Sequence, residues 1–411
     1  MSHALEIEGL EKVYANGLQA LKGIDLRVPG ARVAAQIEIL EAILLGVPAE
    51  KALTNWARGN RFAGSKDRAA LRDLVFQALR CRRSACAWPV AQSARAWAIG
   101  SLRANDADPN EFFNALGHAP AVLTAEDVAP PPSERDLLDL QDWVIELLTQ
   151  HYGADRTAEI GGVLRHRAPI TLRANLQKTT RKQLQAELAK AEIETSLNPA
   201  SDTALTVVSN PRRAVLQPCF EQGWFELQDA ASQAVADAVA VNGRVLDYCA
   251  GGGGKSLALA ARSGSKIFAH DISTARMSEI APRAARGGHD IEVISPSDLA
   301  LGAKFDTVVC DLPCSGSGAW RRSPESKWSL TPSDLEAFVR LQRDIIAKAI
   351  THLAPNGHLA LITCSIFASE NQEQRQFVQD SFPELTFCST AQYLPNAMQD
   401  GLYSVIFKKA V

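Results

Sequence analysis

Four consecutive glycines, Gly251 to Gly254, separate the apolar run Val245-Leu-Asp247 from the alanine-rich stretch Ser256-Leu-Ala-Leu-Ala-Ala261. Glycine gives up more backbone freedom on folding than any other residue, so such a run persists only where the chain must turn sharply or admit a close neighbour. Strand, glycine turn and helix in that order put the turn where open α/β sheets bind ligands, beyond the carboxyl end of a strand. Two phosphate-binding patterns fail on spacing: a P-loop needs glycine at the place of Cys249, and a dinucleotide GxGxxG begun at Gly251 needs glycine at the place of Ser256. What remains is an acid followed by small residues at every second place, Asp247, Cys249, Gly251 and Gly253.

The chain around this turn reads as α/β. After Gln228 short apolar runs alternate with helical periods, and strands are predicted at 244–249, 266–271, 291–295, 305–311, 357–364, 385–389 and 401–408. The interior runs are nearly uninterrupted, as in strands covered on both faces. A length of 411 residues allows two or three domains beside a leader. The predicted plan is a leader at 1–30, an all-α domain at 31–128, a linker helix with a small α+β segment at 129–225, and a doubly wound domain at 226–411.

In the all-α part, Val33, Ile37, Leu40, Ile43 and Leu44 recur with helical period. A second helix is predicted from a Ser65 N-cap through Leu71, Leu74, Val75 and Leu79 to Arg80-Cys-Arg-Arg83, with more helix to Leu116 before Gly117. The arginines there either complement a helix end or contact RNA. Pro130-Pro131-Pro132 marks a boundary, after which Ser133 caps a helix buried along Leu137, Leu140, Val144 and Leu147.

The net charge of −3 and pI near 6.3 do not mark a nucleic-acid binder, so such binding would need a local patch. The stretch Arg165, His166, Arg167, Arg173, Lys178, Arg181 and Lys182, around a strand at 170–175, is the candidate. The eight cysteines form no CxxC pair, which argues against a zinc site or a disulfide framework and for reduced thiols. With no apolar run of about 18 residues and no signal peptide, the reading is a cytoplasmic monomer without membrane contact or metal.

Every predicted parallel strand ends at an acid or a thiol: Asp247 and Cys249, Asp271, Asp298, Asp311 and Cys314, and Cys364. Any one acid can be a helix cap, but five in step point to a site. Asp271 stands 20 residues after Gly251, the spacing of an acid that meets ribose hydroxyls.

The Asp247 to Gly253 pattern resembles motif I of S-adenosylmethionine (SAM) methyltransferases. Asp311-Leu-Pro-Cys314-Ser-Gly-Ser-Gly318 and Thr363-Cys364-Ser365 resemble motifs IV and VI of the NOL/NOP/Sun family of RNA 5-methylcytosine methyltransferases. The likeness continues through Gly223 to Ser232, Trp320 to Trp328 and Asp400-Gly401-Leu-Tyr403, covering roughly 140–411. The helical segment, by pattern and domain order, resembles the NusB-like domain of the RsmB subgroup, which acts on small-subunit ribosomal RNA. Motif I here reads Cys249-Ala-Gly-Gly-Gly-Gly-Lys255 where the family has Cys-Ala-Ala-Pro-Gly-Gly-Lys, so a looser turn is expected. Residues 1–28 instead resemble the opening strands of an ABC-transporter ATPase, with Tyr14 at the adenine-stacking aromatic. No Walker A loop follows, and the segment reads as a fused or misassigned start.

The resemblance implies a Rossmann-like SAM methyltransferase domain that methylates cytosine C5 in RNA, ribosomal RNA before transfer RNA. Cys249, Ala250, Gly251, Gly252, Gly253, Gly254, Lys255, Asp271, Asp298 and Asp311 would hold SAM, with Asp298 near the adenine. Cys364 would add to C6 of the base, Asp311 would hold N3 and the exocyclic amine, and Cys314 would assist proton removal and release. Pro313-Cys314 offers a rival nucleophile, since DNA cytosine methyltransferases use a Pro-Cys dipeptide. A thiol needs help to ionise near neutrality, and Lys255 is one available cation. The competing classes are a non-catalytic RNA-binding or assembly factor on the same fold and an ATP-driven subunit.

Overall fold

The computed structural model describes residues 10–13, 19–24, 28–87, 93–128, 131–263, 265–299 and 302–410. Tyr14, most of the leader and Pro130 lie outside them. The chain divides into two compact units, one of residues 1–142 with 164–166, the other of 143–163 with 167–411.

The first unit opens with an antiparallel pair, β1 (Leu10–Val13) and β2 (Gln19–Ile24). Helices follow at Val28–Leu44, Ala49–Gly59, Ser65–Arg80, Arg82–Ala87 and Ala94–Arg103. Their core gathers Val33, Ile39, Leu40, Leu71, Val75, Leu79 and Trp97. Several boundaries differ from those expected. The first helix starts at Val28 and takes Pro29 into its first turn, where a missing N–H costs nothing; Leu44 faces out, and Ile39 and Gln36 are buried instead. Gly64, not Ser65, is the N-cap of the third helix. Helix stops at Arg103 rather than near Leu116, the chain continuing irregularly to a 3-10 turn at Pro109–Glu111.

The helix predicted from Ser133 is broken. Ser133 and Asp136 do cap each other (Ser133 Oγ to Asp136 Oδ2, 2.6 Å), but only a 3-10 turn follows, and Asp139 takes a left-handed φ of 50°. That turn buries its carboxylate, which accepts from the Ser84 N–H (2.9 Å) and hydroxyl (2.8 Å) and pairs with Arg165 (2.8 Å). A new helix begins at Asp142, so Leu140, Val144, Ile145 and Leu148 are buried while Leu137 and Leu147 are exposed. Arg83 is held by Asp136, Asp142 and the Leu140 carbonyl, so its place is structural.

The second unit holds two sheets. The smaller has the order β4 (Thr195–Leu197), β5 (Ala204–Val207), β3 (Thr171–Ala174), β6 (Phe225–Leu227), all antiparallel. The larger has seven strands in the order β12 (Leu385–Tyr393), β13 (Leu402–Lys409), β11 (Leu353–Thr363), β10 (Phe305–Asp311), β7 (Val245–Asp247), β8 (Ile267–Ala269), β9 (Ile291–Val293). Strands β7 to β11 run parallel, and β13 inserts antiparallel between β11 and β12. This is the doubly wound sheet the alternation predicted. The central strands β7, β10 and β11 are mostly apolar and buried through their later halves, and because they run parallel the acids and thiols at their carboxyl ends gather on one edge. Among the described residues no helix is long and apolar enough to cross a membrane.

Candidate active site

The glycine turn leaves β7 at Asp247 and enters the helix Gly254–Ser263. Gly251 and Gly253 have φ of 51° and 80°, the left-handed region that disfavours side chains. A Cβ at Gly253 would also lie 2.7 Å from Ile280 Cγ1. Asp247 is wholly buried; Ser256 Oγ donates to its Oδ2 (2.6 Å), and its Oδ1 has no hydrogen-bond partner among the described residues. Burial pushes this carboxyl up to about 6, against the pull of Ser256. Asp271 fixes the turn from the next strand, accepting from the Gly251 N–H (3.0 Å) and, at its other oxygen, from the Ser273 N–H (2.9 Å). Arg276 also pairs with it at 3.2 Å. A carboxylate has about four acceptor positions, so one is left for a ligand.

A cavity of about 990 Å³ opens over this turn, lined by Cys249, Ala250, Gly251, Gly252, Gly254, Lys255, Asp271, Asp311, Cys314 and Cys364 among others. Gly253 lies under the turn against Ile280, off this wall. Asp298 is a correction: it is exposed, accepts from Ser295 Oγ (2.7 Å) at the start of the Pro296–Leu299 helix, and leaves the cavity wall to Pro296 and Leu299. The acid is a cap, the alternative that any strand-end acid carries. Cys249 lines the wall, but burial raises its thiol, with Asp247 and Asp311 adding to the effect.

Lys255, from the first turn of the helix, reaches Asp311 at 2.7 Å. Burial alone would lower the ammonium, but Asp311 outweighs it and the pKa rises, with the Cys364 and Asp247 charges contributing. The cation is therefore retained beside the thiol. Cys314 Sγ and Cys364 Sγ lie 3.4 Å apart. Cys364 is the first residue beyond β11; Cys314 follows β10 on the loop Leu312-Pro-Cys-Ser315. The Cys314 thiol is pushed up by its hydrogen bond with Cys364 and by burial. A second cavity of about 620 Å³ is lined by Ser315, Gly316, Arg322, Ser323, Ser326, Leu330 and Phe338, and again by Cys314 and Cys364. The two thiols are the residues common to both walls.

The basic stretch divides. Arg173 is a correction: it is buried on β3, donating to Gln228 Oε1 (2.6 Å) and to the Gly254 carbonyl (3.1 Å), and burial lowers its guanidinium to about 10. It braces the glycine turn from the small sheet. Lys178 Nζ donates to the Gln222 (2.8 Å) and Arg286 (2.6 Å) carbonyls. Sequence reasoning missed Tyr248, His270, Arg276 and His352 on the large cavity, where the Tyr248 ring lies 4.9 Å from His270 and 5.9 Å from His352. Tyr248 and His270 sit at strand ends and were open to the same argument as the acids. His352, at the opposite end of β11, carried no signal. No disulfide joins any of the eight cysteines, and no group of three His, Cys, Asp or Glu among the described residues is placed to hold a metal.

Residues 236–402 match the family model described as 16S rRNA methyltransferase RsmB/F, and 141–212 match the RsmF/B-like ferredoxin-like domain. The ribosomal RNA small subunit methyltransferase B of Vibrio cholerae is 30% identical over 282 residues, 65% of this chain and 64% of that protein. The chain thus spans rather less than two thirds of that curated relative. Among solved structures, PH0851 superposes with a TM-score of 0.70 at 20% identity, over 93% of this chain and 99% of the other. NSun6 from Pyrococcus horikoshii with SFG gives 0.59 at 17%, over 66% of this chain and 98% of the other. At those identities the likeness establishes the fold.

Proposed function

As the chain belongs to the NOL/NOP/Sun family, we propose that it methylates C5 of a cytosine in RNA, small-subunit ribosomal RNA in the first place, with SAM as donor. The observation that carries this reading is the pair of thiols forming the wall common to two cavities, one over the glycine turn and one lined by serines and Phe338. A donor in the first and a base in the second would meet at the sulfurs.

The residues fit SAM. Asp271 keeps an acceptor position on the cavity wall, and the turn presents backbone free of side chains there at Gly251 and Gly252. These residues, with Lys255 and the Cys249-Ala250 wall, would hold the donor, whose description with NSun6 as SFG, a SAM analogue, agrees with this use of the fold. Bound SAM would supply an electrophilic methyl group on a sulfonium centre.

Cytosine C5 is too poor a nucleophile to take that group unaided. The Cys364 thiolate adds to C6, forming the S–C6 bond and turning C5 into an enamine carbon. Lys255 holds Asp311 through one oxygen and leaves the other available to N3 and the exocyclic amine. After methylation a base at Cys314 removes the C5 proton, the electron pair restores the C5–C6 double bond, and Cys364 leaves. The base must leave its stack to reach the sulfurs, so an unpaired or flipped cytosine is the substrate.

RNA carrying 5-fluorocytosine blocks loss of the C5 substituent and traps the adduct. Wild type and Cys314→Ala should give a persistent protein–RNA band, and Cys364→Ala none; a band retained by Cys364→Ala would overturn the assignment in favour of Cys314. Bisulfite sequencing of ribosomal and transfer RNA from a deletion strain would name the target, and loss confined to transfer RNA would reject the ribosomal choice.

A further inference from the structure

The acid most heavily bonded near the thiols takes no part in the chemistry above. Glu370, 1% exposed, accepts at Oε1 from the Ser315 N–H (2.9 Å) and Gln342 Nε2 (3.0 Å). At Oε2 it accepts from Ser315 Oγ (2.5 Å) and Ser365 Oγ (2.5 Å). Ser315 follows Cys314 and Ser365 follows Cys364, so one carboxylate spans the neighbours of both sulfurs. Gln342 is buried too, donates to the Pro313 carbonyl (2.9 Å), and is held by Gln374 Nε2 (2.9 Å). The bridge therefore grips the Cys314 loop on both sides.

We propose that Glu370 is a positioning residue that sets the separation of Cys314 and Cys364, a role that rests on the methyl-transfer reading above. The two thiols depend on it unequally. Cys364 continues from β11, which is paired on both edges through Ile362. The Cys314 loop has left the ladder, its last strand-like bond being Leu312 N–H to the Ile362 carbonyl (2.8 Å). Loss of the bridge therefore displaces the releasing thiol and leaves the attacking one in place.

The test is a single turnover of the full-length chain on in-vitro-transcribed 16S rRNA with labelled SAM, following adduct and methylated product separately. Glu370→Ala should form the adduct and release it at least tenfold more slowly, so the band accumulates on ordinary cytosine. Glu370→Gln should release within about threefold of wild type, because its amide oxygen still accepts from Ser315 N–H and Gln342 while the serine hydroxyls rotate to accept from its NH₂. Release at the wild-type rate by Glu370→Ala, or a parallel fall in adduct formation and release, would overturn the proposal. If Glu370→Ala does not fold, Glu370→Asp, one methylene too short to span both loops, takes its place under the same outcomes. A second arm needs no RNA: diamide takes two hydrogens from the thiol pair as the disulfide forms, and this should slow at least tenfold in Glu370→Ala, equal rates refuting the bridge. Failure of wild type to trap on 5-fluorocytosine RNA would sink the methyl-transfer reading alone and leave the diamide arm to judge Glu370.

Discussion

The glycine turn after β7 and the thiol loops after β10 and β11 flank one cavity and are held in shape by opposite means. The turn can take its course because its own side chains are missing, with two positive-φ glycines and a Cβ position at Gly253 already taken by Ile280, while Asp271 and Arg173 bond to its backbone from outside. The loops keep theirs because side chains are present, with Ser315, Ser317, Ser365, Asn371 and Gln342 bonded around or beside Glu370. Bare backbone suits a ligand recognised by its main-chain contacts, whereas a bonded polar network fixes reacting atoms in place.

The widest gap between the two regions should appear when each loses one feature. Cys364→Ala is expected to lower methyl transfer by roughly 10³-fold or more while changing unfolding free energy by no more than about 1 kcal/mol. Gly253→Ala should do the reverse in kind, costing roughly 1–3 kcal/mol in urea unfolding through strain and overlap with Ile280. Similar stability losses from both would erase the distinction.

A second contrast is in pH. Asp247 titrates near 6 when folded and near 3.8 otherwise, so between those values the folded chain holds a proton that the unfolded chain has released. Its contribution to stability therefore falls as pH rises from about 4 to about 6 and stays low above, a span worth about 3 kcal/mol. Asp247→Asn removes that slope, and its stability relative to wild type should be about 2 kcal/mol better at pH 7 than at pH 4 by urea unfolding. A flat difference would mean the acid is not buried in this way.

The smallest effect tests how loose the turn is. Gly252 lacks a positive φ, and a Cβ there would come no nearer than 3.7 Å to Arg283 Nη1. Gly252→Pro should stabilise the chain by roughly 0.4–1 kcal/mol and tighten SAM binding measured by calorimetry. A weaker affinity would show that the departure from the family's proline serves this turn.

The parallel sheet was legible because its strands carry apolar runs, Val308 to Cys310 and Leu359 to Ile362, that lead straight into Asp311 and, past Thr363, Cys364. Asp298 did not, since a capping acid and a ligand-binding acid have the same spacing and differ only in where the loop points. Arg173 was misread for a related reason: charge density along a sequence says nothing of which residues turn inward, and its partners Gln228 and Gly254 are far off in the chain. The Ser133 helix failed because Asp139 finds Ser84 and Arg165, partners that local periodicity does not contain. Glu370 was invisible for the same cause, its four donors arriving from three separate stretches.

Gly318 and Gly401 lie backbone to backbone, the Gly401 N–H donating to the Gly318 carbonyl (2.8 Å), and a Cβ on Gly318 would fall 2.1 Å from the Gly401 carbonyl oxygen. Gly401 introduces β13, which fills the gap between β11 and β12 late in the chain. A ribosome making this protein thus emits both thiols well before the segment that seats the loop beside them. A nascent chain halted before Gly401 should leave the pair unaligned, as slow diamide oxidation would reveal, so reactivity arrives only when synthesis has passed that point.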